Sequence, residues 1–116
     1  MAIPTRTFKD LVVWQKAKNL TVDVYKNFGG VRDFGFKDQI QRASVSTMNN
    51  IAEGYARRSD KAFKNYLMIA KGSAAEVQSM LLLSAELKYI DDTQCQKLLM
   101  QTEELLKMLT TFIKRL

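Results

Sequence analysis

The sequence predicts an all-α protein, an antiparallel up-down-up-down four-helix bundle, and three observations predict it. Apolar residues recur at helical spacing in four long stretches. Strong breakers are scarce: 116 residues hold one proline, Pro4, ahead of the first stretch, and five glycines. The connections between stretches are short, which makes successive helices antiparallel neighbours. The whole chain, 1–116, reads as one domain, long enough to bury a core without disulfides or metal. Helices are expected at about 8–28, 36–57, 60–88 and 92–115, from the caps and periodicities that follow.

The first helix opens at Thr7-Phe8-Lys9-Asp10, where Thr7 and Asp10 can form a reciprocal capping pair. Trp14, Ala17, Leu20, Val24 and Phe28 then share one face, and Gly29-Gly30 ends the element. The second helix carries two stripes. Ile40, Ala43, Thr47, Ile51 and Gly54 form one; Gln41, Val45, Met48, Ala52 and Tyr55 form the other. Such a helix touches more than one neighbour, and its small residues let another backbone come close.

Ser59 caps the third helix, and Phe63, Tyr66, Leu67, Ala70, Ala74, Val77, Leu81 and Ala85 trace its buried face. Gly72 interrupts it at a cost of about 1 kcal/mol relative to alanine, so close packing or a slight bend is expected there. An aspartate of Asp91-Asp92 caps the fourth helix. Its stripe runs Cys95, Leu98, Leu99, Thr102, Leu105, Leu106, Leu109, Phe112, Ile113 and Leu116, close to a heptad pattern. These apolar stripes exceed what one bundle can hide, which predicts assembly with copies of the same chain.

Composition narrows the chemistry. With no histidine the chain lacks the commonest general base and the commonest metal ligand, and no Glu-x-x-His di-iron set can form. The single cysteine allows no intrachain disulfide and no cysteine-rich zinc site, and it suits a reducing cytoplasm. Cys95 falls on an apolar stripe, where packing rather than nucleophilic attack is expected. Glu53 and Glu76 lie inside helices and could act as acid and base. No nucleophile, cofactor loop or phosphate cradle accompanies them, so pairing with Arg42 or Arg57 is the expected role. The reading is of a non-enzymatic protein with no cofactor, no metal and no membrane span.

The net charge of +6 is uneven: residues 1–72 hold 13 Lys/Arg against 6 Asp/Glu, and residues 73–116 hold 5 against 6. Arg57, Arg58, Lys61, Lys64 and Lys71 form the densest basic group. Lys61, Lys64 and Lys71 share a helix face by their spacing. They suit phosphate contacts or, equally, a solvated face. No aromatic residues interleave with them, so any nucleic-acid binding would be led by backbone charge and weakly sequence-specific.

The motifs resemble those of the bacterial four helix bundle protein family, also called the 23S rRNA intervening-sequence protein family. The opening is Phe8-x-x-Leu11-x-Val13-Trp14-Gln15-Lys16-Ala17, with Val24-Tyr25 following. The central block is Gln39-x-x-Arg42-Ala43-Ser44-Val45-Ser46, then Asn50-Ile51-Ala52-Glu53-Gly54 and Arg57. The third is Phe63-x-x-x-Leu67-x-x-Ala70-Lys71-Gly72-Ser73-x-x-Glu76. Prolines that the family often carries between the first two helices, and ahead of Asn-Ile-Ala-Glu-Gly, are absent here. The second helix is therefore expected to run straighter.

The resemblance implies a four-helix bundle assembled as a ring-shaped homopentamer. Some members of the family are encoded inside intervening sequences of large-subunit rRNA genes. A related accessory protein of diversity-generating retroelements is a basic pentameric barrel that binds nucleic acid and partners a reverse transcriptase. It implies packing roles, within and between subunits, for Arg42, Asn50, Glu53, Gly54, Arg57, Gly72, Ser73 and Glu76. Two functions follow as expectations. The first is a homo-oligomer that binds RNA or DNA through Arg57, Arg58, Lys61, Lys64 and Lys71, with Arg42 as an outlying candidate. The second is an adaptor ring that recruits a protein partner and touches no nucleic acid.

Overall fold

The computed structural model describes residues 7–116, so the place assigned to Pro4 lies outside the described residues. Four helices follow one another: α1 Val12–Phe28, α2 Phe34–Ala56, α3 Asp60–Leu87 and α4 Asp92–Lys114. No strand occurs among the described residues. Each boundary has a local cause. Asp33 accepts from the Phe36 amide at 3.1 Å and starts α2 two residues earlier than expected. Ser59 accepts from the Ala62 amide and Asp91 from those of Thr93 and Gln94, which open α3 and α4. Arg58 and Lys88, which follow α2 and α3, hold left-handed backbone angles at φ 57° and 56° and turn the chain back.

The first helix departs from expectation. The Thr7–Asp10 pair does form, with the Thr7 amide donating to Asp10 at 3.0 Å. It closes a short 3-10 turn, Phe8–Asp10, rather than the start of α1. Leu11 then adopts an extended conformation, ψ 123°, and packs half-buried against the core. Phe8 meets Trp14 edge to face at 5.0 Å. Burying Leu11 and seating Phe8 on Trp14 displaces the α1 start to Val12.

Paired contacts fix the direction of each helix. Thr21 donates to the Ser44 carbonyl, while further along Phe28 meets Phe36. Ser46 meets Ser73 at 2.9 Å and Gln39 reaches Glu76, so α2 and α3 also run opposite. Phe63 meets Phe112 edge to face and Cys95 donates to the Leu81 carbonyl, which sets α3 against α4. Lys16 pairs with Glu104, and Gln101 donates to Asp23, which closes the ring of helices at α1 and α4. Each helix touches two neighbours, and the pairs α1/α3 and α2/α4 stand on the diagonals. The particle measures 53 × 26 × 23 Å.

Leu20, Val24 and Phe28 of α1 and Ile40 and Ile51 of α2 meet Leu67, Val77 and Leu81 of α3 and Leu98, Leu105 and Leu109 of α4 inside the bundle. The second α2 stripe is half-buried and leans toward solvent. Two readings are corrected. Trp14 is half-buried and Val13 takes the core place on α1; on α3, Ser84 is buried where Ala85 was expected. Gly54 does mark a close approach, since a Cβ there would stand 2.5 Å from Tyr66 Cβ. Gly72 does not: it is exposed, and a Cβ would meet nothing within 4 Å. Its flank faces solvent, so close packing within the chain is not its role.

Candidate nucleic-acid interface

The five basic residues proposed from the sequence separate into two groups. Arg57 caps the C-terminal end of α2 and turns back on the α2–α3 seam. Its guanidinium donates to the Tyr66 hydroxyl at 2.8 Å, lies over that ring, and stands 3.9 Å from Glu53. Lys61, Lys64 and Lys71 lie on the other flank of α3, toward α4. Gln78, seven residues beyond Lys71, lines a groove there with Leu106, Lys107 and Thr110. Lys61 and Lys64 are exposed and Lys71 is half-buried, and none of the three pairs with a carboxylate among the described residues. Arg58 sits exposed in the tight turn at the tip of the bundle.

The remaining signature residues collect on the α2–α3 seam. Asn50 donates to the backbone and hydroxyl of Ser46, which meets Ser73; Gln39 donates to Glu76 at 3.1 Å. Arg42 pairs with Asp38 at 2.8 Å rather than with Glu53 or Glu76. It stands about half-way along the bundle, level with the stretch between Ser73 and Glu76, which separates it from Lys61 and Lys64. These are exposed or half-buried contacts, each worth at most about 1 kcal/mol. They hold one flank of α2 against one flank of α3 and bring no carboxylate to a nucleophile.

Folding gathers the charge more sharply than the linear count suggests. At the level of Leu20 the bundle divides into two halves. The half with the α2–α3 turn, residues 7–19, 48–73 and 103–116, holds 11 Lys/Arg against 5 Asp/Glu. The other half holds 6 against 7 among the described residues. Lys107, Lys114 and Arg115 belong to the basic half, although they lie in the stretch whose net charge is negative. Antiparallel pairing returns the end of α4 to the start of α3, and that pairing was the signal by which they could have been found.

The other candidates do not make a catalytic site. Cys95 is buried, donates to the Leu81 carbonyl at 3.4 Å, and burial pushes its thiol above the ordinary range. An open groove of about 650 Å³ between α1 and α4 is lined by Asp23, Asn27, Lys97 and Gln101, and Gln101 bridges it to Asp23. No group of three or more His, Cys, Asp or Glu poised to hold a metal occurs among the described residues. No helix there is long and apolar enough to cross a membrane.

The chain is similar to a known family and to solved structures. The family model described as 23S rRNA-intervening sequence protein matches residues 9–111. A crystal structure from Bacteroides thetaiotaomicron, of a protein with unknown function from the S23 ribosomal protein family, superposes with a TM-score of 0.83. It shares 30% identity over 89% of this chain and 99% of that one. No curated protein matches.

Proposed function

The chain belongs to the 23S rRNA-intervening sequence protein family, and from that premise we propose that it is a non-enzymatic, cytoplasmic homo-oligomer that binds RNA or DNA through its basic end. The observation that supports this reading is the concentration of unpaired lysine at one end of the bundle. Lys61, Lys64 and Lys71 form its line on α3; Arg58 extends it over the tip, and Lys114 and Lys107, the latter 3.7 Å from Glu103, add to the charge from α4. Arg57 supplies charge from the α2–α3 seam while held by Tyr66. A lysine without a carboxylate partner is free to replace a counterion on a phosphate chain, and the released counterion drives binding. Copies of the chain brought side by side multiply that effect.

Binding led by such contacts weakens steeply with salt: log affinity falls linearly with log salt, by about 0.9 per phosphate neutralised on duplex DNA. Titration of labelled duplex DNA and of rRNA fragments at several salt concentrations measures it. The Lys61→Glu/Lys64→Glu variant should lose about tenfold or more in affinity and show a shallower slope, because two contacts become repulsions. No retention of either nucleic acid by the wild-type protein at low salt overturns the nucleic-acid reading and favours the adaptor ring.

A further inference from the structure

The geometry points to a head-to-tail pairing of copies, in which the α2-side flank of α3 on one copy receives the α2-side flank of α1 on the next. The inference rests on the self-association proposed above and adds which surfaces meet.

Two unlike apolar flanks stand uncovered on adjacent sides of the bundle. On α3, Ile69, Leu83 and Leu87 are 52%, 49% and 46% exposed. They flank Glu76, whose contact with Gln39 identifies this as the α2 side. On α1, Val22 and Tyr25 are 42% and 46% exposed. Tyr25 lies one turn beyond Thr21, which reaches Ser44 of α2, and Lys18 shares its stripe. The flanks also match in height. Thr21 stands level with Ser44, and Gln39 with Glu76, so Tyr25 lies near the level of Glu76 and Met80.

Charge decides which surfaces pair. The α3 flank carries Glu76 and no lysine, while Glu86, one turn beyond Leu82, is turned to the other side of the helix. The α1 flank carries Lys18, while Asp23, the one acid of α1, is turned toward Gln101 of α4. Either flank facing a copy of itself would bring like charges together, whereas facing each other they are complementary. The other side of α3 also exposes apolar groups, Met68 and Leu82, but there Lys61, Lys64 and Lys71 outnumber Glu86 and would repel Lys18.

A pairing of unlike surfaces propagates from copy to copy. Because the two flanks occupy adjacent sides of a four-sided bundle, each copy turns the next by roughly a right angle, so the chain of copies closes into a small ring instead of a filament. The corner between the two sides is α2, which then faces the ring axis. The lysine flank between α3 and α4 faces outward, so nucleic acid would lie on the outside.

Disulfide trapping tests the pairing. Tyr25→Cys and Met80→Cys replace partly exposed side chains at nearly the same level, and the native thiol, Cys95, is buried. Oxidation of the double variant should give a ladder of multiples of 13.3 kDa on a denaturing gel. Each single variant and the wild type should run as the single chain. Leu83→Lys, with unchanged helical circular dichroism, should shift the particle to the single-chain mass in light scattering. Dimers from either single variant, an oligomeric double variant without a ladder, or a Leu83→Lys protein of undiminished mass would overturn the pairing alone. A single-chain mass for the wild-type protein at micromolar concentration would overturn self-association itself, and the pairing with it.

Discussion

Two glycines with similar sequence settings have opposite roles. Gly54 lets α2 and α3 touch: a methyl there would be driven against Tyr66 Cβ at 2.5 Å and Phe63 Cδ1 at 3.1 Å. Both are constrained, one as the root of its side chain and the other as a buried ring. Gly54→Ala should therefore destabilise the protein by about 1–3 kcal/mol, the usual cost of overpacking. Gly72 meets nothing, and Gly72→Ala should stabilise α3 by about 0.5–1 kcal/mol through helix propensity. Urea unfolding of the two variants should give midpoints on opposite sides of the wild type. The sequence made Gly54 legible because it ends a buried stripe. Gly72 was misread because periodicity gives a residue's angle on its helix but not what stands opposite. Arg57 shows the same limit: its neighbour Glu53 was visible at i−4, whereas the Tyr66 ring and hydroxyl that hold it come from another helix.

Between elements, the two loops at the far end of the bundle are tied by one side-chain link. Tyr89, after α3, donates to Asp33, the cap of α2, at 2.6 Å, and its ring meets Phe36 at 5.1 Å. The Tyr89 hydroxyl, then the Phe36 amide, hold the Asp33 carboxyl below its ordinary value of 3.8. The same bond holds the Tyr89 phenol above its ordinary 10.0. The two shifts act at opposite edges of the pH range. The Asp33 contribution is complete above the ordinary carboxylate value and is lost as pH falls through the lowered one. The Tyr89 contribution is complete below the ordinary phenol value and is lost as pH rises through the raised one. The stability difference between wild type and Tyr89→Phe should thus be flat from about pH 5 to 9 and shrink beyond both ends, as thermal unfolding across pH would show. The four helices, the Ser59 cap and an aspartate cap at Asp91-Asp92 could be read from the chain, since capping is local. The break at Leu11 could not, because it arises from the seating of Phe8 on Trp14, a contact that the helical pattern does not encode.

At the level of the whole particle, the antiparallel fold converts a lopsided sequence into a lopsided rod. A linear count credits the basic surplus to residues 1–72. The fold moves it to one end of a body 53 Å long by carrying Lys107, Lys114 and Arg115 back beside Lys61. Such a rod has an electric dipole along its length. In the field of a polyanion it experiences a torque before contact, and it arrives with the α2–α3 turn leading. Orientation of this kind appears in kinetics ahead of equilibrium: the association rate constant should fall steeply with added salt while the dissociation rate changes much less. Stopped-flow mixing with labelled duplex DNA would separate the two. The same number of charges spread evenly over the rod would attract without aiming, so the placement of the basic residues at one end sets which part of the molecule meets the polyanion first.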